Sequence, residues 1–163
     1  MSTPEPSLKG RALRLLSGRE YSRMELERKL KAHEQAPGQL AKALDELQVK
    51  GFIDERRVLE SVVHRRSAKL GAARIRQELQ NKGLDAGAVK DAVNGLQSTE
   101  LERARAIWRK KFGMSLPAAE SRQSLSAAER GKQMRFLASR GFGAEIIRRV
   151  VAGDSGDPEA MPD

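Results

Sequence analysis

Basic side chains are the residues of this chain best suited to chemistry. Arg65 lies seven residues after Val58, and Arg66 lies four residues after Val62, so both prolong an apolar stripe at helical spacing. Guanidinium groups at the rim of a core can bind an anion. They can equally pack their stems on the core with their charged ends in water, where they favour a helix C-terminus. The spacing leaves both interpretations open.

Further basic residues continue this set across Gly71 and recur toward both ends of the chain. Such clusters neutralise phosphates without reading bases, and their binding weakens steeply with salt. The chain has only six aromatic residues and no aromatic-rich platform for stacking bases. The candidate binding residues are Arg65, Arg66, Lys69, Arg74, Arg76, Arg11, Arg14, Arg23, Arg28, Arg109, Lys110, Lys111, Arg135 and Arg140.

The net charge of +9 understates this basic character. Four of the 22 acidic residues lie after Gly153, which leaves 31 basic against 18 acidic residues before that point, or +13. A charge of this size favours an anionic partner, nucleic acid first and an acidic protein surface second. Solubility alone is the plain alternative.

Several classes of chemistry are excluded or disfavoured by composition. The chain has no cysteine, so disulfides, iron–sulfur clusters and thiol catalysis are excluded. His33 and His64 stand far apart without metal-ligand spacing, and neither is placed to serve a nucleophile. No phosphate-binding glycine loop is present. We therefore expect a non-enzyme with no cofactor and no metal.

No apolar run approaches the length of a membrane span, and the first residues lack a signal-peptide core. We expect a cytoplasmic protein that does not enter a membrane, with a monomer as the simplest state.

Helical periodicity dominates the sequence and predicts an all-α fold. We predict nine helices in three tandem three-helix repeats, forming an elongated, curved array. The predicted boundaries are residues 8–52, 53–97 and 98–152, with a disordered N-terminus over 1–7 and an acidic disordered tail over 153–163. Residues 113–124 are the longest predicted loop.

Start and stop signals support these helices. Ser22 with Glu25, Thr99 with Glu102 and Ser126 with Glu129 are predicted capping boxes. Asp54 and Asp85 are further predicted N-caps, and Gly51, Gly83 and Gly141 are predicted helix stops. In the helix after Ser126, the predicted apolar positions are Met134, Leu137 and Ala138.

Two segments of the chain are similar to each other. Lys82-Gly83-Leu84 corresponds to Arg140-Gly141-Phe142, and Val89 and Val93 correspond to Ile147 and Val151. Amphipathic helices produce part of this match by periodicity alone. The remainder favours a repeat of about fifty residues, within the range of helical arrays.

Four segments, taken in order, resemble the bacterial regulatory protein RecX family. They are GREYSRMELERKL at 18–30, GFIDERR at 51–57, AARIRQELQNKGL at 72–84 and KQMRFLASRGFGAEIIRRV at 132–150. The resemblance runs from about Leu8 to Val151. Departures from the family pattern are mild: Asp54-Glu55 stand for its paired acids, and Val58-Leu59 replace its usual Phe-Ala.

The resemblance implies three tandem three-helix repeats and a partner, the RecA recombinase filament on DNA. Members lie in the filament groove and modulate, mainly inhibit, the recombinase, ATPase and coprotease activities of RecA in DNA repair and the SOS response. They can also touch single- or double-stranded DNA through nonspecific contacts. The family motif residues are assigned to folding: Tyr21, Leu26, Leu30, Gly83, Gly141 and Phe142.

Two other function classes stay open on the sequence. A stand-alone basic, helix-turn-helix-like DNA-binding regulator would present Arg, Asn or Gln to a groove, and Gln80 and Asn81 are its weak candidates. A purely structural scaffold would bind no anion.

Overall fold

The computed structural model describes residues 4–113 and 125–153, whose regular secondary structure is all helical. Helices α1 and α2 span Leu8–Gly18 and Arg23–Leu30, and a 3₁₀ turn follows at Lys31–His33. The remaining helices are α3 (Gln39–Val49), α4 (Glu55–Arg66), α5 (Ala72–Asn81), α6 (Ala86–Phe112), α7 (Ala127–Ser139) and α8 (Ala144–Ala152). No strand occurs in these described ranges. The predicted all-α fold is confirmed.

Contacts divide the chain into two compact units. Unit 1 comprises residues 1–64 and 77–92, and unit 2 comprises residues 65–76 and 93–163. The core of unit 1 is made by aliphatic side chains of α1, α2 and α3, with Ala12, Leu26 and Leu44 fully buried. The core of unit 2 gathers α6, α7 and α8 around Trp108 and Leu137. Each unit therefore buries its own apolar set.

The predicted caps at Ser22 and Ser126 are confirmed. Each serine side chain accepts a hydrogen bond from the backbone N–H of the glutamate three residues later. Each glutamate carboxylate in turn accepts a hydrogen bond from the serine N–H. The Asp54 carboxylate accepts the N–H groups of Arg56 and Arg57 at 2.9 and 3.2 Å. Asp85 accepts the N–H of Ala88 at 2.9 Å. Local side-chain chemistry therefore sets where these helices begin.

One predicted cap is wrong. Thr99 lies inside α6, a single helix of 27 residues, so the predicted break between two helices at this point does not exist. The Thr99 hydroxyl donates to the Leu96 carbonyl at 3.3 Å and accepts from Arg103 Nε at 3.2 Å. With no glycine or proline between Leu96 and Phe112, nothing stops the helix there. The described residues contain eight α-helices and one 3₁₀ turn rather than nine α-helices.

The buried face of α7 also differs from the prediction. Met134 is 40% exposed and Ala138 is exposed, whereas Gln133 is only 4% exposed. The Gln133 side-chain oxygen accepts the indole N–H of Trp108 at 3.0 Å, which explains why a polar group enters the core. Leu137 is fully buried as predicted.

Three predicted segments lie wholly or partly outside the described residues. They are residues 1–3 of the predicted disordered N-terminus, most of the predicted loop, at 114–124, and the acidic tail from 154 onward. Residues 4–7 lie outside any helix, and Ser7 N-caps α1 by accepting the N–H of Gly10 at 3.1 Å.

Candidate anion-binding surfaces

The fourteen predicted binding residues divide between the units. Arg11, Arg14, Arg23 and Arg28 belong to unit 1, and the other ten belong to unit 2. Three of the fourteen are half-buried, namely Arg11, Arg23 and Arg66. The exposed ones are Arg14, Arg28, Arg65, Lys69, Arg74, Arg76, Arg109, Lys110, Lys111, Arg135 and Arg140.

The end of α4 positions the central predicted residues. The Arg66 carbonyl closes the helix by accepting the N–H groups of Lys69 and Leu70 at 2.9 and 2.8 Å. Arg65 is exposed, while Arg66 is half-buried, so the two residues differ in how much of each side chain solvent can reach. The turn carries Lys69 into solvent directly after the helix end.

Arg103 holds this turn in place. Its Nη1 atom donates to the carbonyl oxygens of Ser67 and Leu70 at 2.9 and 2.8 Å, and its Nη2 donates to Leu96 at 3.3 Å. Burial lowers the pKa of the Arg103 guanidinium, with the Glu100 carboxylate opposing that effect. Arg103 therefore acts as an internal support for the residues around Lys69.

A close backbone approach brings two of the predicted clusters together. The Gly71 N–H donates to the Arg140 carbonyl at 2.7 Å, and the Ala73 N–H donates to the Gly141 carbonyl at 3.2 Å. A Cβ atom added to Gly141 would collide with the backbone and side chain of Arg74. Arg74 therefore lies directly against the segment that carries Arg140.

Two further positive side chains lie near the Phe136 ring in unit 2. The Arg140 guanidinium carbon is 5.1 Å from the ring centroid of Phe136, and the Lys111 Nζ atom is 6.0 Å from it. Both distances fall in the range of cation–π attraction. Lys111, Arg140 and Arg74 are thus parts of one basic surface, although they come from α6, the end of α7 and α5.

Arg23 in unit 1 is committed to internal bonds. It pairs with Asp45 at 2.5 Å and with Glu27 at 3.0 Å, and it donates to Gln48 at 3.0 Å. The hydrogen bond to Asp45 raises the pKa of the Arg23 guanidinium. This network ties α2 to α3 and leaves little of the side chain for a ligand.

Arg28 and Arg11 each make one internal hydrogen bond. Arg28 donates to the Asn81 carbonyl at 3.2 Å. Arg11 donates to the Pro6 carbonyl at 3.2 Å and lies 3.7 Å from the exposed Glu5 carboxylate. Arg14 has no hydrogen bond or ion pair from its guanidinium to any residue that the structure describes.

Sequence reasoning missed Arg103, Lys82 and Gln133. Lys82 pairs with Glu25 at 2.7 Å although the two residues are 57 positions apart. Only Arg103 carried a local signal, its position four residues after Thr99 on one helix face. Within the described ranges, no three His, Asp or Glu side chains gather to hold a metal ion. None of the described helices is both long and apolar enough to cross a membrane.

Comparison with known proteins places this architecture in a family. Three family models match in order: the first three-helix domain of RecX at residues 9–47, the second at 54–93 and the third at 98–151. The regulatory protein RecX of Leptothrix cholodnii is 49% identical over 148 residues, covering 91% of this chain and 89% of that protein. The chain belongs to the RecX family.

Other RecX proteins agree over similar lengths. The regulatory protein RecX of Ralstonia nicotianae is 40% identical over 156 residues, covering 93% of each chain. The crystal structure of RecX from Lactobacillus salivarius matches with a TM-score of 0.71 at 21% identity, over 90% of this chain and 93% of that one. These findings confirm the predicted resemblance and its three three-helix repeats. The relatives are named regulatory proteins rather than enzymes.

Proposed function

We propose that this protein binds the RecA filament on DNA and modulates, mainly inhibits, its recombinase, ATPase and coprotease activities. Membership of the RecX family carries the proposal, since that resemblance implies RecA as the partner. The protein would act without chemistry of its own, as a cytoplasmic regulator in DNA repair and the SOS response.

The basic surface of unit 2 supports this proposal physically. Lys69 and Arg76 are exposed, and no hydrogen bond or ion pair joins either side chain to a described residue. In the same unit, Arg74 lies against Gly141, and Arg140 and Lys111 lie near the Phe136 ring. A rigid basic surface can steer and hold an anionic partner, and several weak contacts on one body reinforce each other.

The proposed contacts are mainly with the filament, and DNA contact is secondary. The ten candidate residues of unit 2 would make the larger contribution. In unit 1, Arg14 is better placed than Arg23, because Arg23 is held by Asp45 and Glu27. We expect Arg11 and Arg28 to contribute less than Arg14 as well, because their guanidinium groups are partly engaged in internal hydrogen bonds.

The first test measures the single-stranded-DNA-dependent ATPase of RecA with increasing amounts of this protein. We expect inhibition, and an unchanged ATPase at excess protein would contradict the proposal. The variant Lys69→Glu with Arg76→Glu should raise the concentration for half-inhibition by about tenfold, the effect of losing about 1.4 kcal/mol of binding.

A matched control keeps the same change of charge in the same unit. Arg130→Glu with Lys132→Glu reverses two exposed charges of α7 that are not among the candidate residues. If both double variants weaken inhibition equally, only total charge matters and the proposed surface is wrong. Circular dichroism on each variant checks that helicity is retained.

A further inference from the structure

A pocket of about 290 Å³ lies in unit 1, and no part of the proposed function explains it. Helix α1 contributes Arg11, Arg14 and Leu15 to its lining. The end of α2 and the following 3₁₀ turn contribute Lys29, Leu30 and His33. Three cationic side chains from two helices therefore meet around one concave volume.

The charge of this pocket is largely uncompensated. Arg14 and Lys29 are exposed, and among residues 4–113 and 125–153 neither side chain makes a hydrogen bond or ion pair. Arg11 is held by the Pro6 carbonyl at 3.2 Å, which orients its guanidinium. The nearest carboxylate to Arg11 is Glu5, at 3.7 Å and 85% exposed, which is too loose a contact to neutralise the site.

The nearby acidic residue Glu34 is engaged elsewhere. Its carboxylate pairs with Lys31 and accepts the N–H of Leu40 at 3.1 Å. These bonds lower the pKa of Glu34, the Lys31 bond most of all. Glu34 therefore compensates Lys31 and the start of α3 rather than the three cations of the pocket.

Apart from the three cations and His33, the pocket lining is apolar. It consists of Leu30, which is 4% exposed, Leu15, which is half-buried, and Pro6. A few charged groups around an apolar surface are typical of sites that fix the orientation of an organic ligand. The arrangement suits an anion that carries a carbon-rich group better than it suits a free inorganic ion.

The number of cations indicates which anion. A carboxylate carries one charge on two oxygens, whereas a phosphate monoester carries between one and two charges on three terminal oxygens. Three multi-donor cations match the second group in charge and in acceptor number. The volume of about 290 Å³ admits a ligand of mononucleotide size.

We propose that this pocket binds the phosphate monoester of a nucleotide, either free or as the 5′-phosphorylated end of a single strand. Arg11, Arg14 and Lys29 hold the phosphate, and the sugar lies over Leu15 and Leu30. The pocket shares Arg11 and Arg14 with the proposed RecA surface, but its ligand chemistry needs no RecA. Its failure would therefore leave the proposed function standing.

Calorimetric titration of the full chain with adenosine monophosphate and with adenosine tests the phosphate requirement. We expect binding of the first ligand and at least tenfold weaker binding of the second. The variant Arg14→Ala with Lys29→Ala should weaken binding of the monophosphate by tenfold or more, since each hydrogen bond to a charged group contributes about that factor. Circular dichroism establishes that the variant is folded.

Lys42→Ala with Lys50→Ala is the matched control. It removes two exposed positive charges from unit 1 outside the pocket lining, so binding should be unchanged. A second arm compares one oligonucleotide with a 5′-phosphate and with a 5′-hydroxyl. A preference for the phosphorylated strand that depends on Arg14 and Lys29 identifies a strand end as a ligand, and binding of the mononucleotide identifies the free form.

Three results would overturn the proposal. Equal binding of phosphorylated and unphosphorylated ligands in both arms would exclude a phosphate site. Equal loss of binding in the pocket variant and the control would reduce the effect to net charge. Binding of a glutamate-rich peptide through Arg14 and Lys29, with no binding of either phosphate ligand, would make the pocket a carboxylate site.

Discussion

The Nζ atom of Lys82 lies 2.7 Å from the Oε1 atom of Glu25, the residue that completes the capping box of α2. The Ser22 hydroxyl of the same box donates to the Lys82 carbonyl at 2.6 Å. Burial raises the pKa of Glu25, but the Lys82 ammonium, the Ser22 N–H and the Arg19 guanidinium outweigh it and lower the pKa to about 2. Lys82, the first residue after α5, thus fixes the start of α2.

This pair predicts a specific acid sensitivity. A carboxylate with a depressed folded-state pKa contributes stability that is present above its unfolded value of 4.5 and is lost as pH falls toward 2. Glu25→Gln should destabilise the protein by roughly 1–3 kcal/mol at pH 7 and much less at pH 2.5. Urea unfolding at the two pH values measures the difference.

The control for this prediction is Glu60→Gln. Glu60 forms an exposed pair with Arg56 at 3.0 Å, so its loss should cost no more than about 0.5 kcal/mol at either pH. An equal pH dependence for the two variants would show that Glu25 carries no special share of the acid sensitivity.

The contact of Gly71 with the Arg140–Gly141 backbone predicts that both glycines resist substitution. A Cβ atom on Gly71 would collide with the Gly141 carbonyl group, and Gly141 has φ +89°, which L-residues with side chains rarely adopt. We expect Gly71→Ala and Gly141→Ala each to cost about 2 kcal/mol or more in the free energy of unfolding.

Gly95→Ala is the internal reference for both glycine variants. Gly95 lies inside α6 with nothing within 4 Å of an added Cβ, so alanine should stabilise the helix by about 0.5–1 kcal/mol. Chemical denaturation of the three variants should place Gly95→Ala above the parent and the other two below it. A Gly71→Ala or Gly141→Ala variant as stable as the parent would contradict close packing at that glycine.

The hydrogen bonds of Arg103 predict that its replacement by alanine lowers stability and that lysine restores only part of the loss. Arg103→Ala leaves the carbonyls of Ser67 and Leu70 without this donor and should cost about 2–3 kcal/mol. Lysine lacks the planar fork that reaches several acceptors together, so Arg103→Lys should recover less than half of that loss. Arg109→Ala, at an exposed position on the same helix, should be neutral within about 0.5 kcal/mol. Thermal unfolding compares the three, and full rescue by lysine would contradict the fork geometry.

Salt dependence predicts how much DNA contact the basic surface makes. If Lys69 and Arg76 each neutralise one phosphate of single-stranded DNA, replacing both by alanine lowers the slope of log K against log salt by about 1.4. Fluorescence anisotropy with a labelled oligonucleotide at several salt concentrations measures this slope. An unchanged slope would assign the two residues to protein contact or to no contact.

Residues within one or two turns of each other made most of the fold predictable. Ser22, Asp54 and Asp85 begin helices because a short polar side chain reaches backbone N–H groups two or three residues later. Gly141 ends a helix because only glycine enters the left-handed region without cost. Such interactions are contained in the local sequence, and so they can be found there.

Thr99 shows where local signals fail. Its sequence pattern with Glu102 is that of a capping box, yet the backbone continues as a helix through it. A capping box satisfies the free N–H groups of a helix's first turn, but Thr99 lies in mid-helix, because Gly95 four residues earlier does not interrupt α6. The burial of Gln133 was not predicted for a related reason. Its partner Trp108 is 25 positions away, and the hydrogen bond between them makes a polar residue acceptable inside the core.

The candidate surface was less predictable than the fold. Positive charge indicated which residues to consider, but the spacing did not distinguish Arg23, which is used internally, from Lys69, which is exposed. The contact between Gly71 and Gly141 depends on how distant segments pack, which helical periodicity does not encode. Whether these residues bind RecA, DNA or neither stays a prediction.

The bonds from Gly71 to Arg140 and from Ala73 to Gly141 join main chain to main chain. No charged side chain takes part in them, so the charges at Lys69 and Arg76 can be replaced without altering what holds their backbone in place. The charges on this surface can therefore be changed independently of the backbone structure that carries them. A library randomised at these two positions would keep the fold constant while sampling partners, which makes unit 2 a suitable starting point for retargeting.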